Sequence, residues 1–462
     1  MTDAHGQRKV LFICNDVIGE RMAGPGIRYW EFARVLSASF AVTLAVPPYI
    51  EMSAAPGNPE FPARISVCHS VRDLRALADD ADVIVTLGMV LLMYPFLAQM
   101  GRPLVVDLYD PFLLSGLHQH ADRPMAERVV LHEQYRQAHH LQIRAADFFI
   151  CASERQRDYW LGMLSAMGRV NPHTHGDDQT LRRLIGVVPF GLPSEPPRHT
   201  NPVLKGLHKT IAAGDKVILW GGGIWNWLDA ATLVRAMGLI SREREDIKLF
   251  FLGVGRANTT LPRMKASEEI VALSRELGLY DQYVFFNDWV PYRERQNYLL
   301  EADVGVSLHH DHAETRLAFR TRFLDYLWAG LPIVATEGDV MADAVREWQL
   351  GRVVAPGDVK GVATALLELV DTPGLKDAYQ PRFADAADRY RWEVVTVPLV
   401  DFCSDPRLAP DRVYLKEIPG TEARRTSVWS LPGRAWRVFR GHGIRGLTGQ
   451  TAEYLHWKRT RK

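Results

Sequence analysis

Short apolar runs alternate with amphipathic stretches along most of this chain. In the first half the runs are KVLFIC, AVTLAVP, DVIVTLG, PLVVDLY and DFFICAS, and stretches such as IRYWEFARVLSAS lie between them. Apolar runs of this length predict buried strands, whereas apolar residues recurring every three or four positions predict helices. The alternation therefore predicts an α/β fold, in which a doubly wound parallel sheet is covered by helices.

The pattern breaks once, in the proline-rich stretch VVPFGLPSEPPRHTNP, and then restarts. The second half has its own apolar runs, KVILWGGG, KLFFLGVG, YVFFNDW, VGVSL, LPIVAT and GRVVAP. Proline-rich sequence between similar halves is typical of a domain boundary, and 462 residues are too many for one core. We therefore predict two Rossmann-like domains facing a central cleft, over 1–190 and 191–372, then crossover helices over 373–405 and a tail over 406–462.

The charge is ordinary overall but uneven along the chain. The net charge is only +1, so nothing global indicates nucleic acid as a partner. Residues 421–462, however, hold ten Lys or Arg against two Glu, which leaves the rest of the chain net negative. Within 424–462 these basic residues are interspersed with tryptophans, a combination that fits an anionic membrane surface. The alternative is a tail that packs along the protein with its charges in water.

Two segments bear on the location of the protein. The N-terminus, MTDAHGQRKV, lacks an apolar signal segment, so we expect a cytoplasmic protein, with peripheral contact to the inner face of the plasma membrane through its tail. Residues 83–100 are uncharged and long enough to raise the question of a membrane span. Gly88 and Pro95 interrupt this segment, so we predict a buried strand followed by a helix.

Neither the cysteines nor the histidines indicate a metal site. The four cysteines are far apart and form no CxxC pair: Cys14, Cys68, Cys151 and Cys403. They are expected to be buried thiols. The run HHDH over 309–312 is consecutive, and consecutive loop residues seldom converge on one ion. We predict no metal and no cofactor, and assign His310 to the cleft as a hydrogen-bonding residue.

The second half begins with a strand that runs directly into three glycines. KVILW is followed by Gly221, Gly222 and Gly223, and then by IWNWLDAATLVRAM, which has helical spacing. A glycine turn before a helix lets an anion approach converging backbone amides. We therefore assign Gly222, Gly223 and the neighbouring Trp225 to an anion site. The alternative is a tight turn that only needs positive φ angles.

A charged segment follows the apolar run that ends at Leu308. It presents Glu314, Arg316, Arg320 and Arg322, and Asp325 lies within the helix predicted over 321–328. Arginines near a helix start fit a diphosphate, because guanidinium forks pair with phosphate oxygens. A carboxylate one turn later can accept hydrogen bonds from sugar or ribose hydroxyls. The alternative is a solvated helix with surface ion pairs.

The run LDYLWAGLPIV resembles the E-A-M-A-x-G-x-P run of retaining, GT-B-fold glycosyltransferases of family 4, which belong to the glycosyl transferases of group 1. Asp325 stands where that run begins with Glu. A further Glu of the family lies eight positions earlier, where this chain has Leu317, whereas Glu314 lies eleven positions earlier. The Arg and Lys that often follow the glycine turn in the family are absent from residues 225–227.

This resemblance implies transfer of a hexose from a nucleotide-diphosphate sugar to a glycan or lipid-linked acceptor, with retention of configuration. It is closest to the branch that assembles O-antigens and exopolysaccharides, and so implies a role in surface polysaccharide biosynthesis, including lipopolysaccharide. The second domain would bind the donor, and the first domain would hold the acceptor. No metal is implied, since the leaving diphosphate helps to deprotonate the acceptor hydroxyl.

The resemblance also implies roles for single residues. Glu314 would be catalytic, and the loop between the first strand and helix would border the cleft with Asp16, Gly24, Gly26 and Arg28. A nicotinamide site is disfavoured there because Tyr29 occupies the third glycine position. Asp110 follows the run PLVVDLY and is assigned as catalytic, orienting an acceptor hydroxyl; the alternative is a helix cap.

Two other functions remain compatible with the sequence. Sugar-nucleotide 2-epimerases share the two-domain architecture and the nucleotide cleft. A non-catalytic nucleotide-sugar-binding partner would keep the fold without the chemistry, as the shifted Glu314 and the missing basic pair would allow.

Overall fold

The computed structural model describes residues 7–48, 50, 61–208, 210–255 and 264–417. Its first domain is built on one sheet, whose strands β1 to β7 are, in chain order, Lys9–Ile13, Ala41–Val46, Arg64–Val67, Val83–Leu87, Leu104–Asp107, Phe148–Cys151 and Ile185–Val187. The strand order is β3-β2-β1-β4-β5-β6-β7, and all paired neighbours are parallel. The central strands are buried throughout, because helices cover both faces.

The helices of this domain connect successive strands. They are α1 (Gly24–Leu36), α2 (Val71–Asp80), α3 (Val90–Met93), α4 (Phe112–Gln119), α5 (Met125–Ala145), α6 (Glu154–Ala166) and α7 (Pro172–Asp177), with a 3-10 turn at Pro95–Gln99. The uncharged segment 83–100 is thus a buried strand followed by short helical turns, as predicted. In the described part of the chain, no helix is both long and apolar enough to cross a membrane.

The second domain repeats the architecture with a six-stranded sheet. Its strands β8 to β13 are Lys216–Trp220, Ile247–Phe251, Val284–Phe286, Val304–Ser307, Ile333–Thr336 and Gly351–Val354, in the order β10-β9-β8-β11-β12-β13. Its helices are α8 (Ala230–Ile240), α9 (Lys265–Glu276), α10 (Arg295–Glu301), α11 (Ala313–Leu317), α12 (Arg322–Trp328), α13 (Val340–Glu347) and α14 (Val359–Asp371). The predicted two-domain α/β fold is confirmed.

The chain then crosses back to the first domain. Helix α15 (Leu375–Arg389) packs against α12, whereas α16 (Trp392–Val395) and α17 (Val397–Ser404) pack against α1 and β7. The two interdomain crossings lie side by side, because the amide of Leu192 donates to the carbonyl of Tyr390 at 2.7 Å and the amide of Trp392 donates to the carbonyl of Leu192 at 3.1 Å. The domains are therefore joined by two chain segments that lie next to each other.

Part of the predicted tail is docked on the first domain. Helix α18 (Arg412–Glu417) follows Asp411, whose fully buried carboxylate pairs with the fully buried guanidinium of Arg169 at 2.8 Å. Asp147 accepts a hydrogen bond from the Ala409 amide at 2.8 Å. The residues assigned to membrane contact, 424–462, lie outside the described residues, so that assignment and the exact domain boundaries stay predictions.

Candidate active site

A cavity of about 500 Å³ lies between the carboxyl ends of the two sheets. This is where parallel α/β sheets place their ligands. Both domains supply its walls, which include seven of the residues predicted from the sequence: Asp16, Gly24, Asp110, Trp225, Glu314, Arg320 and Arg322. The cleft is thus present in the structure, and half of the fourteen predicted site residues line this cavity.

The glycine turn after β8 lines a cavity next to the main one. Gly222 has φ +100°, a conformation that favours glycine. The amide of Gly221 donates to the hydroxyl of Tyr326 at 2.7 Å, and that hydroxyl donates to the carbonyl of Val306 at 2.8 Å. The Tyr326 side chain of α12 therefore holds the glycine turn in place.

Arg322 is a buried cation, and one of its terminal guanidinium nitrogens has no partner among the described residues. Its guanidinium lies over the Trp220 ring at 4.5 Å, and Nη2 donates to the carbonyl of Gly223 at 2.9 Å. Nη1 is buried and has no hydrogen-bond partner among the described residues. Burial lowers the pKa of Arg322 to about 10, so the side chain stays charged at neutral pH. A buried cation beside a glycine turn is a site for an anion.

Arg320, by contrast, is already paired. Its Nη1 and Nη2 donate to the two carboxylate oxygens of Glu314 at 3.0 and 2.8 Å, and both side chains are almost fully buried. Its fork is occupied by Glu314, which it orients in the cavity wall, and its role as a phosphate ligand stays a prediction.

Asp110 faces the same cavity from the first domain. Burial, and then the negative charge of Glu314, raises the pKa of Asp110 to about 7. The hydroxyl of Ser115 donates to its carboxyl at 3.3 Å. The two carboxyl groups predicted to be catalytic thus approach one cavity from opposite domains, which is consistent with their prediction from sequence.

A second cavity, of about 200 Å³, continues from the glycine turn along the second domain. Gly222, Gly223, Trp225 and Arg322 line it together with Asp325, and so does Arg295 of α10. Arg295 was not predicted as a site residue, because an arginine on a helix ordinarily indicates a solvated face.

Three predicted residues line neither the main cavity nor the second one and lie outside the neighbouring histidine cavity too. Arg28 is fully buried beneath the main cavity, in an ion pair with Asp107 at 2.6 Å, and its Nη groups donate to the carbonyls of Val188 and Pro189. Gly26 is a packing position, because an added Cβ would lie 2.3 Å from the carbonyl of Val17. Arg316 is exposed and lines neither of these cavities. The structure therefore does not bring these three residues together with the rest of the predicted site.

The histidines group beside the cleft. Exposed His310 lines a neighbouring cavity of about 350 Å³ with His118 and Asp229. The rings of His118 and His312 stack across the two domains at 3.9 Å, and burial, followed by the charge of His118, lowers the pKa of His312 to about 4. Among the described residues, no group of three or more potential ligands is arranged for a metal ion.

Gln156 joins the two domains at the edge of the cleft. Its side chain is fully buried, and Nε2 donates to the carbonyl of Tyr109 at 2.7 Å and to that of Leu317 at 2.8 Å. Tyr109 belongs to the first domain, whereas Leu317 ends α11, the helix that carries Glu314. The position of Glu314 opposite Asp110 therefore depends on contact between the domains.

Residues 215–372 match the family model described as glycosyl transferases group 1. Over 78 residues, the chain is 32% identical to phosphatidyl-myo-inositol mannosyltransferase of Mycobacterium leprae (strain TN). That alignment covers 17% of this chain and only 21% of the mannosyltransferase. The second domain therefore contains a glycosyltransferase-family segment, and it holds the glycine turn and both arginines of the cleft.

Solved glycosyltransferase structures share the two-domain architecture. Sucrose-phosphate synthase from Thermosynechococcus elongatus superposes with a TM-score of 0.63 at 14% identity, covering 86% of this chain and 98% of that one. HepE of Anabaena in complex with UDP-glucose has a TM-score of 0.60 at 16% identity, covering 86% and 99%. These likenesses confirm the predicted GT-B fold, and with the family match they confirm the predicted resemblance to group 1 glycosyltransferases.

Proposed function

We propose that this chain transfers a hexose from a nucleotide-diphosphate sugar to a glycan or lipid-linked acceptor, with retention of configuration. One observation carries the proposal: the buried, unpaired Nη1 of Arg322 beside the turn at Gly222 and Gly223, in a cleft lined by carboxylates of both domains. A diphosphate would supply the counter-charge that the described residues do not provide.

The donor assignment follows from the chemistry of the cleft. The turn exposes backbone without side chains, and Arg322 offers a fixed positive charge on the same wall. Arg322 would thus replace the basic pair that is absent from 225–227. HepE, a fold neighbour, was solved with UDP-glucose, which makes a uridine diphosphate sugar the first donor to test.

The transfer itself needs no protein-derived nucleophile under this proposal. The bond between the anomeric carbon and the diphosphate oxygen breaks, the acceptor oxygen bonds to that carbon, and its proton passes to the departing diphosphate. Arg322 stabilises the charge that develops on the diphosphate. Glu314 stabilises the positive charge on the sugar, and Asp110 hydrogen-bonds a hydroxyl of the acceptor.

The acceptor assignment rests on the mannosyltransferase relative, whose name indicates a phosphatidyl-myo-inositol acceptor. A lipid-linked acceptor would place the protein at the cytoplasmic face of a membrane, where surface polysaccharides are begun. The resemblance of the segment 314–336 to family 4 supports the same branch of biosynthesis.

The proposal is tested by thermal unfolding with UDP-, GDP-, dTDP- and CMP-sugars, followed by transfer assays on lipid and glycan acceptors. We expect one nucleotide class to raise the melting temperature, since a ligand that binds the folded state stabilises it. Arg322→Met should abolish this shift, whereas Arg316→Met, at an exposed position, should preserve it.

The products separate the alternatives. NMR of the product should show the anomeric configuration of the donor. Inversion at C2 of the sugar without transfer would identify an epimerase instead, and binding without turnover of any acceptor would identify a non-catalytic partner.

A further inference from the structure

Arg295 occupies an unusual place for a helix-starting arginine. Its guanidinium is held between two aromatic rings, 3.8 Å from the ring centre of Tyr292 and 4.7 Å from that of Trp328. Nη1 donates to the carbonyl of Tyr292 at 2.7 Å, and Nε donates to Oδ1 of Asp325 at 2.9 Å. The side chain is therefore held by two aromatic rings, a backbone carbonyl and the carboxylate of Asp325.

The pair lies in the smaller, 200 Å³ cavity, which begins at the glycine turn. If the diphosphate occupies the turn and Arg322, as the proposed function requires, the nucleoside extends into this cavity. Asp325 and Arg295 lie on its wall with Trp289 and Tyr292. The ribose is thus the part of the donor that would reach Asp325.

The two oxygens of Asp325 are in different situations. Oδ1 accepts from Arg295, whereas Oδ2 has no hydrogen-bond donor among the described residues; the side chain is 33% exposed and lines the cavity. Because Oδ1 is held by a hydrogen bond, the orientation of Oδ2 is fixed as well. Such pre-organisation strengthens binding because less side-chain freedom is lost when the ligand arrives.

We propose that Arg295 is a positioning residue that holds Asp325 so that its second oxygen accepts hydrogen bonds from the ribose hydroxyls of the donor nucleotide. This inference rests on the proposed function. It gives a role to a residue outside the glycosyltransferase motif, on a different helix from Asp325.

The test compares three probes by titration calorimetry: UDP, 2′,3′-dideoxy-UDP and inorganic pyrophosphate. GDP is titrated in parallel with UDP as a second nucleoside diphosphate. Wild type should bind UDP more tightly than the dideoxy analogue. Arg295→Gln should weaken UDP binding about tenfold and leave the dideoxy analogue and pyrophosphate unchanged, so that discrimination disappears. Arg295→Lys keeps the charge without the fork and should recover part of the difference.

Matched variants make the result specific. Arg293→Gln alters an exposed arginine two positions away and should bind all probes as wild type does. Asp325→Asn should lose the same discrimination as Arg295→Gln. Equal weakening of all three probes by Arg295→Gln would identify a merely structural role and overturn the inference.

The outcomes also separate this inference from the proposed function. Normal discrimination by Arg295→Gln would overturn the positioning role and leave the nucleotide-sugar donor intact. Failure of wild type to bind any nucleoside diphosphate would overturn both together.

Discussion

Arg320 and Arg322 are two positions apart and have opposite electrostatic surroundings. Arg320 is matched by the carboxylate of Glu314, whereas Arg322 has no carboxylate partner among the described residues. A buried charge without a partner opposes folding, and a broken buried pair leaves such a charge behind. Replacement by methionine should therefore affect the free energy of unfolding differently at the two positions.

Arg322→Met is expected to leave the free energy of unfolding unchanged or to raise it, because it removes a desolvated cation. The dissociation constant for pyrophosphate should rise about tenfold or more, equivalent to about 1.4 kcal/mol. Denaturant unfolding and calorimetry measure the two effects. Loss of stability without loss of pyrophosphate binding would contradict an anion site.

Arg320→Met is expected to lower the free energy of unfolding by about 3–5 kcal/mol, because Glu314 is left buried without its cation. Denaturant unfolding measures the loss. The double variant Arg320→Met/Glu314→Gln should recover much of it, since the buried carboxylate that loses its bidentate partner is then neutral. A single variant as stable as wild type would show that the pair contributes nothing.

Asp110 predicts a dependence of stability on pH. Its pKa in the folded protein, about 7, lies above the ordinary value of 3.8, so the folded state holds a proton that the unfolded state releases between these values. The stabilising effect of this proton is present at low pH and is lost as pH rises towards 7. Asp110→Asn should therefore raise the melting temperature more at pH 8 than at pH 5. An equal increase in melting temperature at pH 5 and at pH 8 would contradict the raised pKa of Asp110.

At the scale of elements, the glycine turn and α12 form one unit. Tyr326 of α12 reaches under the turn, and its ring lies so close to Gly305 of β11 that an added Cβ would stand 2.6 Å away. The hydroxyl then links the amide of Gly221 to the carbonyl of Val306. The position of the turn thus depends on a side chain that does not line the main cavity.

Tyr326→Phe tests this link. Removing the hydroxyl takes away the acceptor of the buried Gly221 amide, and should cost about 1–3 kcal/mol of stability. Because the turn loses its support, binding of pyrophosphate should weaken as well, although no cavity-lining group has changed. Thermal unfolding and calorimetry on the same samples measure both; unchanged pyrophosphate binding would separate the turn from α12.

The sequence predicted elements better than side-chain pairs. The helix expected over 321–328 is found at Arg322–Trp328, and Gly330 follows it with φ +62°, as expected of a helix stop. These features depend on local periodicity and on glycine, which a sequence displays. The partners of Arg28 and Arg295 lie at Asp107 and Asp325, and no local pattern indicates such pairs.

At the scale of the molecule, the two-sheet architecture and the cleft were predictable because each strand is a short apolar run. Crossover helices were expected over 373–405, but the length of chain beyond them that packs on the first domain was not predictable. The tail was expected to begin at 406, yet residues up to 417 dock through the buried pair of Arg169 and Asp411. Asp411 lies in polar sequence, and nothing around it in the sequence indicates that it pairs with Arg169, 242 positions earlier.

The packing of the C-terminal helices on the first domain has a consequence for a protein that is cut once between the domains. A single proteolytic nick within 193–208 would yield an N-terminal fragment with β1–β7 and a C-terminal fragment that still carries α16, α17 and α18. Because those helices and Asp411 complete the fold of the first domain, the fragments should remain together as a non-covalent heterodimer. They should co-elute from a sizing column in buffer and separate only in denaturant, so the linker is dispensable for holding the two halves together.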